Sequence, residues 1–236
     1  MKLVNIIIFC LLAMPSYAQP LTDFNAVFDV DVYGFTVGKA TQKFNCNNQT
    51  KTCLLTSVAK APSWAKRFIN ESAIEKTTFH QTDTQLEWLE YHKSLTRRYD
   101  DRTEHKTITL KKQPLKNQIT FVEQQKHWAI QDKVFDEISI SYAIQHAILN
   151  NQPLKGFFLQ GDKQQQALTI YVDETDEIID LPFEEYLNTT LIVFKNANID
   201  AQVWLLNDHN YFPGRIEITN RKTDKTITLE LKHLKR

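Results

Sequence analysis

The sequence predicts a mainly β protein: a single strongly curved antiparallel sheet or open β-barrel, with one helix at about residues 136–150 packed on the concave face. Three observations predict it. Most of the chain alternates apolar and polar residues with the period of two that half-buried strands require. Polar connectors recur between these runs at the spacing of a meander. One segment instead follows a helical period.

The elements follow in order. MKLVNIIIFCLLAMPSYAQP starts with Lys2, continues through the mostly apolar Leu3 to Met14, and places small Ser16 and Ala18 before a cleavage point after Ala18. That is the layout of a secretory signal, so residues 1–18 read as a signal peptide and 19–236 as one β-rich exported domain. Cys10 lies inside the apolar run and leaves with the signal. No later stretch approaches ~18 consecutive apolar residues, so no transmembrane segment is expected in the mature chain.

FNAVFDVDVY puts Phe24, Ala26, Phe28, Val30 and Val32 on one face, and Gly34 allows the turn into FTVGKATQKFNC, with Gly38 at a bulge. In FNCNNQTKTCLL, a polar spacer between two β-like runs reads as a hairpin tip that brings Cys46 and Cys53 face to face. In an oxidising compartment such a pair forms a disulfide. The competing reading, half of a metal site, lacks the second ligand pair that zinc requires. APSWAKRFI (61–69) reads either as a helical turn or as a loop carrying Trp64 and Phe68 as a flap over the sheet.

Alternating runs continue at Thr52 to Val58, Ser72 to Phe79, Leu86 to His92, Lys106 to Leu110 and Ile119 to Gln124. The second series is Ala167 to Val172, Glu177 to Leu181, Leu187 to Phe194, Ala201 to Leu206, Arg215 to Asn220 and Thr226 to Leu231. Between the series, FDEISISYAIQHAILNNQP sets Ile140, Ile144, Ala147 and Ile148 on one helical stripe, widened by Ile138 and Tyr142. Asp136 can cap its start, while Asn150, Asn151 and Pro153 end it.

Charge excludes one class of function. The whole chain balances 28 basic against 28 acidic residues, and the leader holds Lys2 and no acid, so the remainder is close to neutral. A general nucleic-acid binder shows a strong basic excess instead. The aromatic supply is large, with 14 Phe, 8 Tyr and 4 Trp. Phe24, Phe28, Phe44, Phe121, Phe158, Tyr171 and Phe194 fall on predicted inward faces. With Ile144 and Ile148 of the helix they form either a filled core or the wall of an apolar ligand site.

The stretch VWLLNDHNYFPGRIEI invites a hydrolase reading because Asp208 adjoins His209. Adjacent strand residues point to opposite faces, and no GxSxG elbow supplies a nucleophile. Asn207 to Asn210 instead read as a hairpin connector, where Asn and Asp tolerate left-handed geometry. His80, His92, His105, His127, His146 and His233 have no metal-ligand spacing. The acid pairs Asp100–Asp101 and Glu184–Glu185 read as solvated loop residues. No phosphate-binding glycine loop is present. No catalytic residue, metal ligand or cofactor is therefore expected.

FNAVFDVDVYGFTVGKA resembles the opening of the periplasmic family known as domain of unknown function 3108. FDEIS is similar to that family's "D..S" segment, here Asp136 and Ser139. The closing hairpin is similar in its "D.ny.P.ri" element, which falls on Asp208, Asn210, Tyr211, Pro213, Arg215 and Ile216 after Trp204. Between Ala61 and Thr96 the anchor is Glu71–Ser72. The resemblance implies export to the periplasm and no established activity. Three functions follow as expectations. The first is a non-catalytic protein binding a lipid, another apolar ligand or an envelope-derived molecule between sheet and helix. The second is an envelope scaffold or assembly factor binding another protein through its sheet edges or the 61–69 flap. The third is a hydrolase.

Overall fold

A computed structural model describes residues 19–60, 71–99 and 101–236. The expected export signal, the 61–69 segment and Asp100 lie outside the described residues.

The first series gives β1 (Phe24–Val32), β2 (Phe35–Asn47), β3 (Thr52–Lys60), β4 (Glu71–Gln81), β5 (Leu86–Arg98) and β6 (Thr103–Gln113). Short β7 (Gln118–Phe121), β8 (Lys126–Ala129) and β9 (Lys133–Phe135) lead to helix α1 (Ile140–Leu149). After it come β10 (Phe157–Gln160), β11 (Gln165–Ala167), β12 (Thr169–Ile179), β13 (Leu187–Lys195), β14 (Ile199–Leu206), β15 (Phe212–Asn220) and β16 (Lys225–Lys235). The expected run from Ala167 begins at the end of β11 and continues into β12, which also holds Glu177 to Ile179 of the next run and shifts register against β13 between Asp173 and Glu177.

One sheet of thirteen strands has the order β12-β13-β14-β15-β16-β1-β2-β3-β4-β5-β6-β7-β8, every pair antiparallel. It is not closed into a barrel: β12 and β8 remain as edges. Its curvature follows from burial, because Phe28, Leu55, Leu110, Ile192, Val203 and Leu231, drawn from strands along its whole length, pack into one core. A small sheet, β11-β10-β9, stands at the gap. β11 passes directly into β12, and Gln165 on β11 donates to the Ala129 carbonyl on β8 at 3.3 Å. The β8 edge thus has a neighbour, the usual remedy for an exposed strand edge, while β12 stays open along its outer side.

Bulges bend the strands. Val37 is the extra residue beside Gly38 on β2, the position expected to bulge. Gly214 is the extra residue of β15, and a Cβ there would lie 2.5 Å from the Leu206 side chain. Only glycine fits. The turn before it uses left-handed Asn210 and Tyr211, at φ 52° and 53°.

The helix is shorter than the 136–150 span at its start. Asp136 Oδ1 accepts the amides of Ile138 and Ser139, each at 3.1 Å, which draws the chain into a side-chain-closed turn. Helical pairing then begins after Ser139. The end falls where Asn150 and Asn151 predict it, with Asn151 left-handed and Gln152 N donating back to the Ala147 carbonyl at 2.7 Å. Ile140 through Ala147 are all buried, polar members included, so the helix sits inside the fold rather than on it. The Gln145 side chain donates to the Asn210 carbonyl (2.8 Å) and that of Gln152 to the Thr84 carbonyl (2.6 Å), tying it to turns in both halves of the sheet.

Candidate functional site: a charged belt inside the sheet

Alternation fixes what the concave face displays. Across β2 to β5 the register sets Gln42 opposite Ser57, Ser57 opposite Glu75 and Glu75 opposite Lys93. Gln42, Ser57 and Glu75 are buried, so a polar row crosses the interior. On one side of it runs Phe44–Leu55–Thr77–Tyr91, and on the other Ala40–Ala59–Ala73–Leu95.

Glu75 accepts the Tyr91 hydroxyl and lies 3.5 Å from the Lys93 ammonium, which also reaches Glu137 at 3.6 Å. Burial first, and then the Glu75 charge, drive the Tyr91 phenol far above its ordinary range, so it acts as a neutral donor. Burial pulls the Lys93 ammonium down, but Glu75 and Glu137 outweigh it and the net direction is upward. Lys93 stays charged with its side chain 21% exposed, which makes this end of the belt reachable from solvent.

Behind it lies Asp136, fully buried. Its Oδ2 accepts Thr77 Oγ1 and Trp88 Nε1, each at 2.7 Å, while Oδ1 takes the two amides that open α1. Ser139 Oγ accepts the Asp136 amide at 3.0 Å. Burial pushes the Asp136 carboxyl up to about 6, against the four donors that favour its charged form. Both oxygens are fully engaged, so Asp136 fastens helix to sheet and offers no lone pair to a substrate. The buried His146 side chain is pushed down to about 4 by desolvation and is neutral at ordinary pH.

The predicted residues sort by face. Phe24, Phe28, Phe121, Ile144 and Phe194 are buried in the main core, and Ile148 packs half-buried against it. Phe24 stacks on Tyr142 at 5.0 Å and meets Phe212 edge-on at 5.0 Å, so rings occupy the interval between sheet and helix that the sequence offered to a ligand. Tyr171 is a correction: it is 44% exposed. It pairs with Val193, while Ile170 and its partner Phe194 take the inner side, so a one-residue shift in the face of β12 turns Tyr171 outward. Cys46 and Cys53 form a disulfide across the β2–β3 hairpin.

Trp204 packs with Leu191 and Val193 on the convex side, under the Arg215 guanidinium at 5.1 Å. Pro213 is buried at the β15 bulge. Asp208 is exposed in a one-turn 3-10 connector, and the neighbouring His209 contacts Glu184 at 3.1 Å. The Asp–His pair is a turn. Sequence reasoning missed Glu75, Thr77, Tyr91 and Lys93. A readable signal was present: Phe79 is inward, so alternation puts Thr77 and Glu75 inward with it. No cluster of His, Cys, Asp or Glu among the described residues could hold a metal. Among them no helix is long and apolar enough to cross a membrane.

No family model matches the chain, so the resemblance to domain of unknown function 3108 rests on its quoted segments alone. No curated protein matches either. The fold itself has a counterpart in the crystal structure of a β-barrel-like protein of domain of unknown function DUF1849 from Brucella abortus. The two share a TM-score of 0.57 at 10% identity, over 92% of this chain and 98% of that one. That similarity shows a shared β-barrel-like architecture. A putative outer membrane lipoprotein-sorting protein domain from Vibrio parahaemolyticus aligns over 91% of this chain and 85% of that one at 8% identity. Its TM-score of 0.25 carries no argument.

Proposed function

We propose that residues 19–236, exported to the periplasm and released after Ala18, form one non-catalytic domain that binds an apolar or envelope-derived ligand. The ligand lies on the concave face beyond the helix rather than between helix and sheet. One observation carries this reading: Val30, Ala59, Ala73, Leu95 and Leu229 continue the inward rows yet are only half-buried. Half-buried apolar side chains with a small-residue centre at Ala59 and Ala73 leave room and favour apolar contact. The Glu75–Lys93 pair borders them and would meet the polar end of an amphiphile. The disulfide fits the oxidising compartment that the reading requires.

Native mass spectrometry of protein recovered from the periplasm tests it. The expected result is a bound amphiphile that Ala73→Trp displaces without moving the urea midpoint. Protein that is bare as isolated, and stays bare with added fatty acid, overturns the reading.

A second reading, a scaffold for another envelope protein, is favoured by the free β12 edge. Tyr171, Val172 and Ile178 there are 44%, 46% and 64% exposed. In the same spectra it predicts a protein adduct that Ile178→Lys removes. The hydrolase reading gains no support, since the Asp136 carboxylate is taken up by Thr77, Trp88 and two amides and the Tyr91 hydroxyl by Glu75.

A further inference from the structure

We propose that the convex panel formed by β2, β3 and β4 docks on the anionic headgroup plane of a lipid bilayer. Its outward positions run from Lys39 to Asn45, from Thr52 to Lys60 and from Ser72 to His80. They hold Lys39, Lys43, Lys60 and Lys76, all exposed, and no carboxylate. None of these four lysines pairs with a carboxylate among the described residues. Lys39 stands in register between Lys60 and Asp29, and the Asp29 carboxylate is taken by Lys232 at 2.7 Å. Like charges facing each other across two strands weaken a sheet, so the Lys39–Lys60 pair is an expense that an external anion would relieve.

Elsewhere on the outer face of this sheet several cations are matched, while exposed Lys195 and Lys235 have no ion pair among the described residues. Lys232 meets Asp29 at 2.7 Å, Lys111 meets Glu90 at 3.5 Å and Arg221 meets Asp200 at 2.5 Å. What distinguishes the panel is four such lysines on three adjacent strands with no carboxylate among its outward positions. Leu54 and Ile74 lie among the lysines and are 39% and 46% exposed.

The layout selects a plane over a point anion. Lys39 and Lys43 are about 13 Å apart along their strand, and Lys43 and Lys76 about 10 Å apart across two strand spacings. That is too wide for one phosphate and suits a field of headgroups, with Leu54 and Ile74 placed to touch the acyl boundary. The proposal does not depend on the ligand reading, which concerns the opposite face of the sheet.

Vesicle co-sedimentation of the protein recovered from the periplasm, residues 19–236, tests it. The expected outcome is binding to phosphatidylglycerol-rich vesicles and not to phosphatidylcholine vesicles, lost as salt shortens the screening length. At about fivefold per lysine, Lys43→Gln with Lys76→Gln should weaken binding by roughly 25-fold, and Lys→Glu at both positions by more. Lys163→Glu, in the β10–β11 turn, should leave binding unchanged. Circular dichroism confirms that the variants fold, which their exposed positions predict. Equal binding to neutral vesicles, no binding to either, or full binding by the charge-reversed variant each overturns the proposal.

Discussion

The two halves of the concave face solve the same packing problem with different chemistry. From β12 through β16 to β1 the inward rows are mostly apolar, for example Ile192–Val203–Ile216–Leu229–Val30. From β2 to β5 the corresponding row is Gln42–Ser57–Glu75–Lys93. The apolar half stabilises by removing area from water, and each side chain there contributes almost independently of its neighbours. The polar half holds only as a set, because a buried charge deprived of its partner costs more than the pair contributes. The polar half is accordingly where a small change propagates.

Asp136→Ala provides the sharpest break. It strands the Thr77 and Trp88 donors and the two amides that open α1, and should cost about 5 kcal/mol. Phe194→Ala, in the apolar half, should cost about 4 kcal/mol through cavity and transfer terms. Urea unfolding measures both, and the halves differ further in mechanism. A volume-restoring Phe194→Leu should recover most of the loss, whereas Asp136→Leu should recover none.

Titration separates the two buried groups near the helix. His146 has its folded value pushed below the unfolded one, to about 4 from 6.5, so its neutral form is favoured by folding. The unfolded chain then binds the extra proton, and the stability that His146 supplies is present above pH 6.5 and lost as pH falls toward 4. Asp136 runs the other way. Its folded value is raised to about 6 from 3.8, so its contribution is full below pH 3.8 and lost as pH rises through 6. The two nearly cancel across this window. In His146→Gln the Asp136 dependence should stand alone. Relative to that variant, the parent should lose about 3 kcal/mol between pH 7 and pH 4 in urea titrations. Parallel curves would show that His146 is protonated in the fold.

Tyr171→Ala marks the small end. At an exposed edge position it should change stability by less than about 0.5 kcal/mol, while Ile170→Ala, on the inner face of the same strand, should cost more. Equal costs would return Tyr171 to the interior.

Legibility followed the same division. Alternation was enough to locate the long strands, the meander order, the Cys46–Cys53 hairpin and the helix end at Asn150, because each is a local periodicity or turn preference. It was weaker at β12. There the pairing with β13 shifts register between Asp173 and Glu177, and counting does not carry the face of a strand across such an irregularity. The start of α1 was misplaced because Asp136 Oδ1 closes a turn over the Ile138 and Ser139 amides ahead of the helix, while Oδ2 bonds the sheet.

Local order, then, was written in the residues themselves: which stretches are extended, where they turn, which cysteines meet, and that one amphipathic segment must be covered. The fold alone decided which inward polar residues found partners. Glu75, Tyr91 and Lys93 meet across the β4–β5 pair, but Glu137 joins them, and Asp136 reaches Thr77 and Trp88, only when the helix docks on the sheet. Periodicity reports the face on which a side chain lies. It carries no information about what lies opposite across the interior, because that contact is made between segments far apart in the chain.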